Sequence, residues 1–303
     1  MKKISSLFVF VFAFVLVFVS CDKIEESNYV VYSGASGEWF DGDGVADHTQ
    51  RAIIEKYTGV RCMNCPTAED AINNAVSQYN GKLLAVAIHD SSTAFTRPYN
   101  GSPDLRTATG NAWSNFFGVF AAAQYPMALV NRTQVSGSWD LFNPVSGINS
   151  HVDPIVNSPA TIAIQVEAGT QASSPAKSGT QASSPAKQSL ITTTVNIEFL
   201  ESVGDALNLT LFIIEDGINA TQLMPDGSRN EDYIHNHVFR QVITDLWGAQ
   251  VDCTGAKGEK RMAQFTAEAD LNLITDLTKC HIVAMISNRE TRQIINVAEC
   301  EIK

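Results

Sequence analysis

Cys62-Met63-Asn64-Cys65-Pro66 is the segment of this chain with the clearest chemistry. Two cysteines at this spacing can close into one disulfide and reopen by thiol exchange. They lie between a strand-like run and a helix-like run, which puts a helix N-terminus against the sulfurs. Unpaired N–H groups and the positive end of the helix dipole favour the thiolate, the reactive form. In this setting Cys62 is expected to be the more exposed, attacking sulfur. Cys65, inside the first turn, is expected to resolve the mixed disulfide, and Arg61 would lower the Cys62 pKa further. The electrons come from another dithiol, so the chemistry needs no dissociable cofactor. A structural disulfide that never turns over fits the same spacing. Zinc fits less well, because no second ligand pair stands at a suitable distance along the chain.

Other residues invite chemistry less strongly. His235 and His237 would share one face of a strand and could share a metal. No carboxylate or cysteine joins them at convincing spacing, so packing or a contact between domains is the better expectation. Asp41-Gly42-Asp43-Gly44-Val45-Ala46-Asp47 has part of a calcium loop but lacks its first ligand and its closing Glu. A polar linker is the simpler reading, and no metal site is assigned. Cys280 and Cys300 would face each other if Ile282 pairs with Ala298 and Ile286 with Ile294, which makes a structural disulfide the expectation, with two buried thiols as the alternative. Cys253 is left over, either free or competing for one of those partners.

The elements that must position these residues follow from periodicity. Arg51 to Tyr57 reads as a strand. Ala68, Ala71, Ile72, Ala75, Val76 and Tyr79 fall on one helical face, and Asn80-Gly81 ends that helix. Leu83 to Ile88 reads as a buried parallel strand. Ser102-Pro103-Asp104 predicts a helix start, continued by Ala108, Ala112, Trp113, Phe116 and Phe120. Met127 to Val130 is a further strand, and Asn143 to Val156 a last, Pro-interrupted helix. Beyond about residue 158 the pattern alternates with period two: Ile162, Ile164, Val166; Ile191 to Phe199; Leu207 to Ile213. Cys280 to Ser287 and Gln293 to Ile302 read as a closing hairpin. Such runs predict an antiparallel β-sandwich. A tandem ten-residue repeat within 168–188 is small and polar and lacks core-forming side chains, so it reads as a flexible hairpin-tip insertion.

Strand, Cys-x-x-Cys, helix, strand, helix, X-Pro, strand is the order of a thioredoxin-like domain. Glu55 to Pro66, Tyr125 to Arg132 and Tyr233 to Arg240 together resemble the outer membrane protein 28-related lipoproteins of Bacteroidetes. That resemblance implies an α/β plus all-β chain: a thioredoxin-like domain over 50–157, then an immunoglobulin-like antiparallel β-sandwich over 158–303. The thioredoxin-like order implies that Tyr125 and Pro126 face the cysteine pair and help hold a substrate strand; a cis Pro126 suits that place, an ordinary trans-Pro at a strand start is the alternative, and sequence does not decide between them. Two departures from thioredoxins stand out. Met63-Asn64 replaces the usual Gly-Pro, and Lys56, with Glu55 beside it, occupies the place of a buried acid that moves protons.

Residues 1–20 have the form of an export signal, with Lys2 and Lys3 followed by an apolar run from Leu7 to Val19. Ser20-Cys21 suits lipoprotein processing at Cys21, and residues 21–49 read as a polar tether. The acidic residues just after Cys21 resemble a surface-export signal. The expected place is the outer membrane, facing periplasm or cell surface, held by a lipid anchor. Export favours disulfides. The expected partners are protein thiols or disulfides of the envelope. A net charge of -11 without a basic stripe argues against nucleic acid. An alternative role is a binding or structural lipoprotein, such as an adhesin or assembly component.

Overall fold

A computed structural model describes residues 37–91, 93–119, 124–172 and 189–303. The expected signal, Cys21, much of the tether, Phe120 and repeat residues 173–188 lie outside the described residues. Trp39–Asp41 (β1) and Ala52–Tyr57 (β2) are the first strands. β2 is buried at every position. Its pleat sends Ala52, Ile54 and Lys56 to one face and Ile53, Glu55 and Tyr57 to the other.

Helix α1 spans Cys65–Tyr79. Pro66 sits in its first turn, where a missing N–H costs nothing. Asn80 ends it in the left-handed conformation, φ 48°. Ala68, Ile72 and Ala75 make its buried stripe, as the periodicity predicts. Strand β3 (Leu83–Ile88) pairs parallel to β2. Helix α2 runs only over Ala108–Phe116. Thr107 caps it, its Oγ1 accepting from Gly110 N–H at 2.9 Å, so the expected start at Ser102-Pro103-Asp104 is displaced. Asp104 is instead tied to Arg106. Strand β4 (Met127–Val130) pairs antiparallel to β2, and helix α3 (Ile148–Val156) carries Pro154 inside it.

The rest is strand-rich: β5 (Ile162–Ala172), β6 (Ser189–Phe199), β7 (Leu207–Glu215), β8 (Val238–Val242), β9 (Lys260–Glu268), β10 (Cys280–Asn288) and β11 (Ile294–Glu301). They build two sheets. The smaller runs β1-β9-β6-β5. The larger runs β11-β10-β7-β8-β3-β2-β4, with Ala249–Gln250 also pairing to β7. The molecule is thus mostly β-sheet with few helices. The join is the parallel contact of β8 with β3, Val238 opposite Ala87, where Ala87 N–H donates to His237 O at 2.7 Å. The change of pattern near residue 158 therefore marks a change in the chain but not a break in the sheet. The described residues form one compact unit.

Ile164, Ile197, Leu211, Phe265 and Ile282 belong to the core between the two sheets. Phe212, Ile214, Val283 and Met285 point the other way, into a second core with Trp113 and Phe117. Strand β7 is consequently buried at every residue, although only its alternate positions signalled burial. A third core joins β2 and β3 to α1 and α3 through Ile54, Ile72, Leu83 and Val152.

The hairpin β10–β11 forms, but two residues away from the expected register. Cys300 faces Ile282, and Ala298 faces Ala284. A register shift near Ser287 lets Ile294 pair there. Cys280 and Cys300 are accordingly free thiols, which corrects the predicted disulfide, and Cys253 is free as well. Burial pushes the Cys280 thiol up to about 12 and the Cys300 thiol up to about 11.

Candidate functional site

Cys62 and Cys65 are joined as a disulfide, with their Cα atoms 5.4 Å apart. Cys65 is the first residue of α1, and Cys62 lies in the turn before it. Cys62 N–H donates to Gly59 O at 3.0 Å, and Cys62 O accepts from Gln222 Nε2 at 3.1 Å. Neither cysteine is open to solvent: Cys62 is 4% exposed and Cys65 3%. The 3-10 turn Ala94–Thr96 and the segment Gln222-Leu223 both lie against this loop. Phe95 O accepts from Arg61 N–H at 2.8 Å. A Cβ on Gly59 would lie 2.4 Å from Phe95 O, so only glycine permits this approach.

Arg61 is engaged by the neighbouring loop. Its Nε and Nη2 donate to Arg97 O and Pro98 O at 2.8 and 2.9 Å, and its guanidinium lies 4.1 Å from the Tyr99 ring centre. Arg229 approaches the same ring at 4.8 Å. Arg61, Tyr99, Ser102, Thr221, Arg229 and Asp232 line a polar cleft of about 610 Å³.

The Tyr125–Pro126 peptide is cis. Tyr125 belongs to the same apolar core as Cys62 and Cys65. Its hydroxyl donates to the buried Asp90 carboxylate, and its ring centre lies 6.0 Å from that of Phe95. Both Tyr125 and Pro126 are buried.

On the α1 side of β2, Lys56 forms an ion pair with Glu69, and the two side chains are 5% and 12% exposed. Burial pushes the Lys56 ammonium down to about 7, with Asp70 opposing the fall. Lys56 and Glu69 line a small chamber together with Cys65, His89 and His235. Sequence reading missed Glu69 and His89. Glu69 stands one helical turn after Cys65, which is the signal that could have found it. His89 follows an apolar strand and carries no motif. On the opposite face, Glu55 accepts from Arg132 Nη2 at 2.7 Å and from Nε at 2.9 Å, both residues fully buried.

His235 and His237 part company. His235 is buried in the chamber, its Nε2 3.1 Å from Ala220 O. His237, at φ 55°, turns its Nδ1 to Asp216 at 3.5 Å. Among the described residues no group of three His, Cys, Asp or Glu side chains could hold a metal. Asp47 of the calcium-like stretch accepts from Thr49 and Arg51 instead. Among the described residues no helix is long and apolar enough to cross a membrane.

Fold and site together define a β-rich protein with a Cys-x-x-Cys disulfide at a helix start. Residues 113–303 match the family model of outer membrane protein Omp28. The chain belongs to the Omp28 family, which places it at the outer membrane. The match begins at Trp113, beyond both Cys62 and Cys65. Among solved structures, HBP35 of Porphyromonas gingivalis is similar at 17% identity and TM-score 0.57, covering 85% of this chain and 77% of that one. A structural-genomics protein of Agrobacterium tumefaciens aligns at 12% identity and TM-score 0.46, covering 84% and 95%. A domain of the outer membrane lipoprotein Omp28 from Porphyromonas gingivalis aligns at 17% identity and TM-score 0.30, covering 48% and 89%. The HBP35 likeness concerns fold alone, and the other two carry no argument. No curated protein matches the chain.

Proposed function

We propose that the Cys62–Cys65 pair exchanges disulfides with proteins of the envelope, within a thioredoxin-like front half. The observation that carries this reading is a three-residue disulfide at the start of a 15-residue helix, in one apolar core with Tyr125. The cleft beside Arg61 offers a polar surface for an incoming chain, and Tyr125 and Pro126 would hold a substrate strand. The second half serves as an immunoglobulin-like sandwich. Cys21 carries the lipid anchor that holds the molecule to the membrane, facing periplasm or cell surface.

One observation favours a second reading. Both sulfurs are nearly inaccessible, which suits a structural disulfide in a binding or assembly lipoprotein. Insulin reduction by the full chain in detergent, driven by a dithiol, separates the two. Turnover is expected from the native chain and background from Cys62→Ser. No turnover by the native chain, with a pair potential far below about -300 mV, identifies the structural bond.

A further inference from the structure

The polar cleft beside Arg61 is walled by two segments far apart in the chain. One is the loop from Tyr99 to Pro103, and the other belongs to the excursion between β7 and β8. In that excursion Ile218–Asn219 pairs with Ile234–His235, and Gln222–Leu223 pairs with Arg229–Asn230. Hydrogen bonds fix the walls to each other and to the Cys-x-x-Cys loop. Ser102 Oγ accepts from Thr221 N–H and donates to Thr221 Oγ1, both at 3.0 Å. Leu223 N–H donates to Val60 O at 2.8 Å. The cleft is therefore preformed, and its volume of about 610 Å³ is within the usual range for ligand clefts.

Arg61 and Arg229 bring their guanidiniums to one ring, 4.1 and 4.8 Å from the centre of Tyr99. Like charges at one ring repel, and an anion beside both relieves that repulsion. Arg61 spends Nε and one Nη2 hydrogen on carbonyl oxygens, which orient the group without neutralising it. Its outer edge, Nη1 with the second Nη2 hydrogen, keeps the paired donors that suit a carboxylate. Arg51, Arg106, Arg132, Arg240 and Arg261 are each ion-paired. Among the described residues Arg61 and Arg229 have no carboxylate partner, in a chain of net charge -11. Glu231 and Asp232 line the same cleft but pair with neither.

We propose that this cleft docks a peptide segment of a partner protein through one acidic side chain, its carboxylate bound by Arg61 and Arg229. Glu231 and Asp232 repel further acids, so the cleft takes an isolated Asp or Glu and refuses a polyanion. Asn100 and Asn219 offer amide groups to the segment's backbone, which a free amino acid would leave largely unused. Arg61 directly precedes Cys62, so the docked segment lies next to the disulfide. This names the chemistry of the incoming chain in the thiol-exchange reading, and rests on that reading only for the disulfide the partner carries.

The test is fluorescence anisotropy with the oxidised full chain in detergent and labelled peptides free of cysteine. One peptide of Gly, Ser and Asn carries a single central Glu; others carry Gln, Lys or a run of Glu in its place. At low salt the single-Glu peptide should bind roughly tenfold more tightly than the Gln peptide, and about 0.5 M salt should close the gap. Arg229 is exposed, so Arg229→Glu should leave the fold intact. That variant should lose the Glu preference and gain one for the Lys peptide. Equal binding of the Glu and Gln peptides by the native chain, or a Glu preference that survives Arg229→Glu, overturns the proposal. So does a Glu run that binds more tightly than the single Glu, or free glutamate that competes as well as the peptide. Selective docking without insulin turnover upholds the cleft and removes the thiol-exchange reading, whereas turnover without selective docking removes the cleft alone.

Discussion

Glu55 and Lys56 are neighbours in the chain and opposites in space. Each is a buried charge on β2, and each is met by a partner brought from another element, Arg132 after β4 and Glu69 on α1. A charge without its partner at such depth would be strongly destabilising, so pairing is a condition of folding. His281 shows the same logic nearer the surface. Its Nδ1 lies 2.9 Å from Glu299 and its Nε2 3.6 Å from Asp216, and the Glu299 hydrogen bond raises its pKa. A raised folded-state pKa means stability that is fully present below the unfolded value of about 6.5 and lost as pH rises through the folded one. His281→Asn should therefore lower the urea midpoint at about pH 5.5 and much less at about pH 8.5. Equal losses at the two values would show that the imidazolium is not what stabilises the site.

At the scale of elements, register decides the cysteines. The two-residue offset along most of the β10–β11 hairpin leaves Ala298 and Cys300 on their expected face while moving Cys300 opposite Ile282, and only the further shift at Ser287 turns Ile294 to the other face. Alternation reports faces, and a shift of two preserves them, so the sequence pattern could not tell one register from the other. Alkylation without reductant, followed by peptide mapping, should recover Cys280 and Cys300 as single alkylated thiols. A cross-linked Cys280–Cys300 peptide would refute the register. Helix α1 was legible to its last residue because its stripe is regular and Asn80-Gly81 punctuates it. Helix α2 was misplaced at its start because Thr107, an unremarkable residue in sequence, outcompetes Ser102 as cap. The cysteine pair was legible from spacing. Its burial was not, since distant segments at Phe95 and Gln222 meet on this loop.

On the scale of the whole molecule, Asn131 ties the front to the back. Its Oδ1 accepts from Ile53 N–H at 2.8 Å, and its Nδ2 donates to Ile294 O at 3.1 Å. It holds this position in the left-handed conformation, φ 48°, which asparagine tolerates better than most residues. Asn131→Ala should cost roughly 2–4 kcal/mol from the stranded buried groups and the backbone conformation. With one sheet running through both halves, tryptophan fluorescence and far-ultraviolet circular dichroism should report a single coincident transition in urea, in native and variant alike. Two separated transitions would mean that the halves unfold independently.

The parallel contact between β3 and β8 also sets a timetable. One edge of β3 has no strand to pair with until residue 238 has left the ribosome, some 150 positions after Ile88. Cys62 and Cys65 need no such wait, since only two residues separate them. In an oxidising environment their bond can close before the walls that bury it have assembled. The enclosure is then built around a finished disulfide, and the chemistry at this centre has its first turn before the fold does.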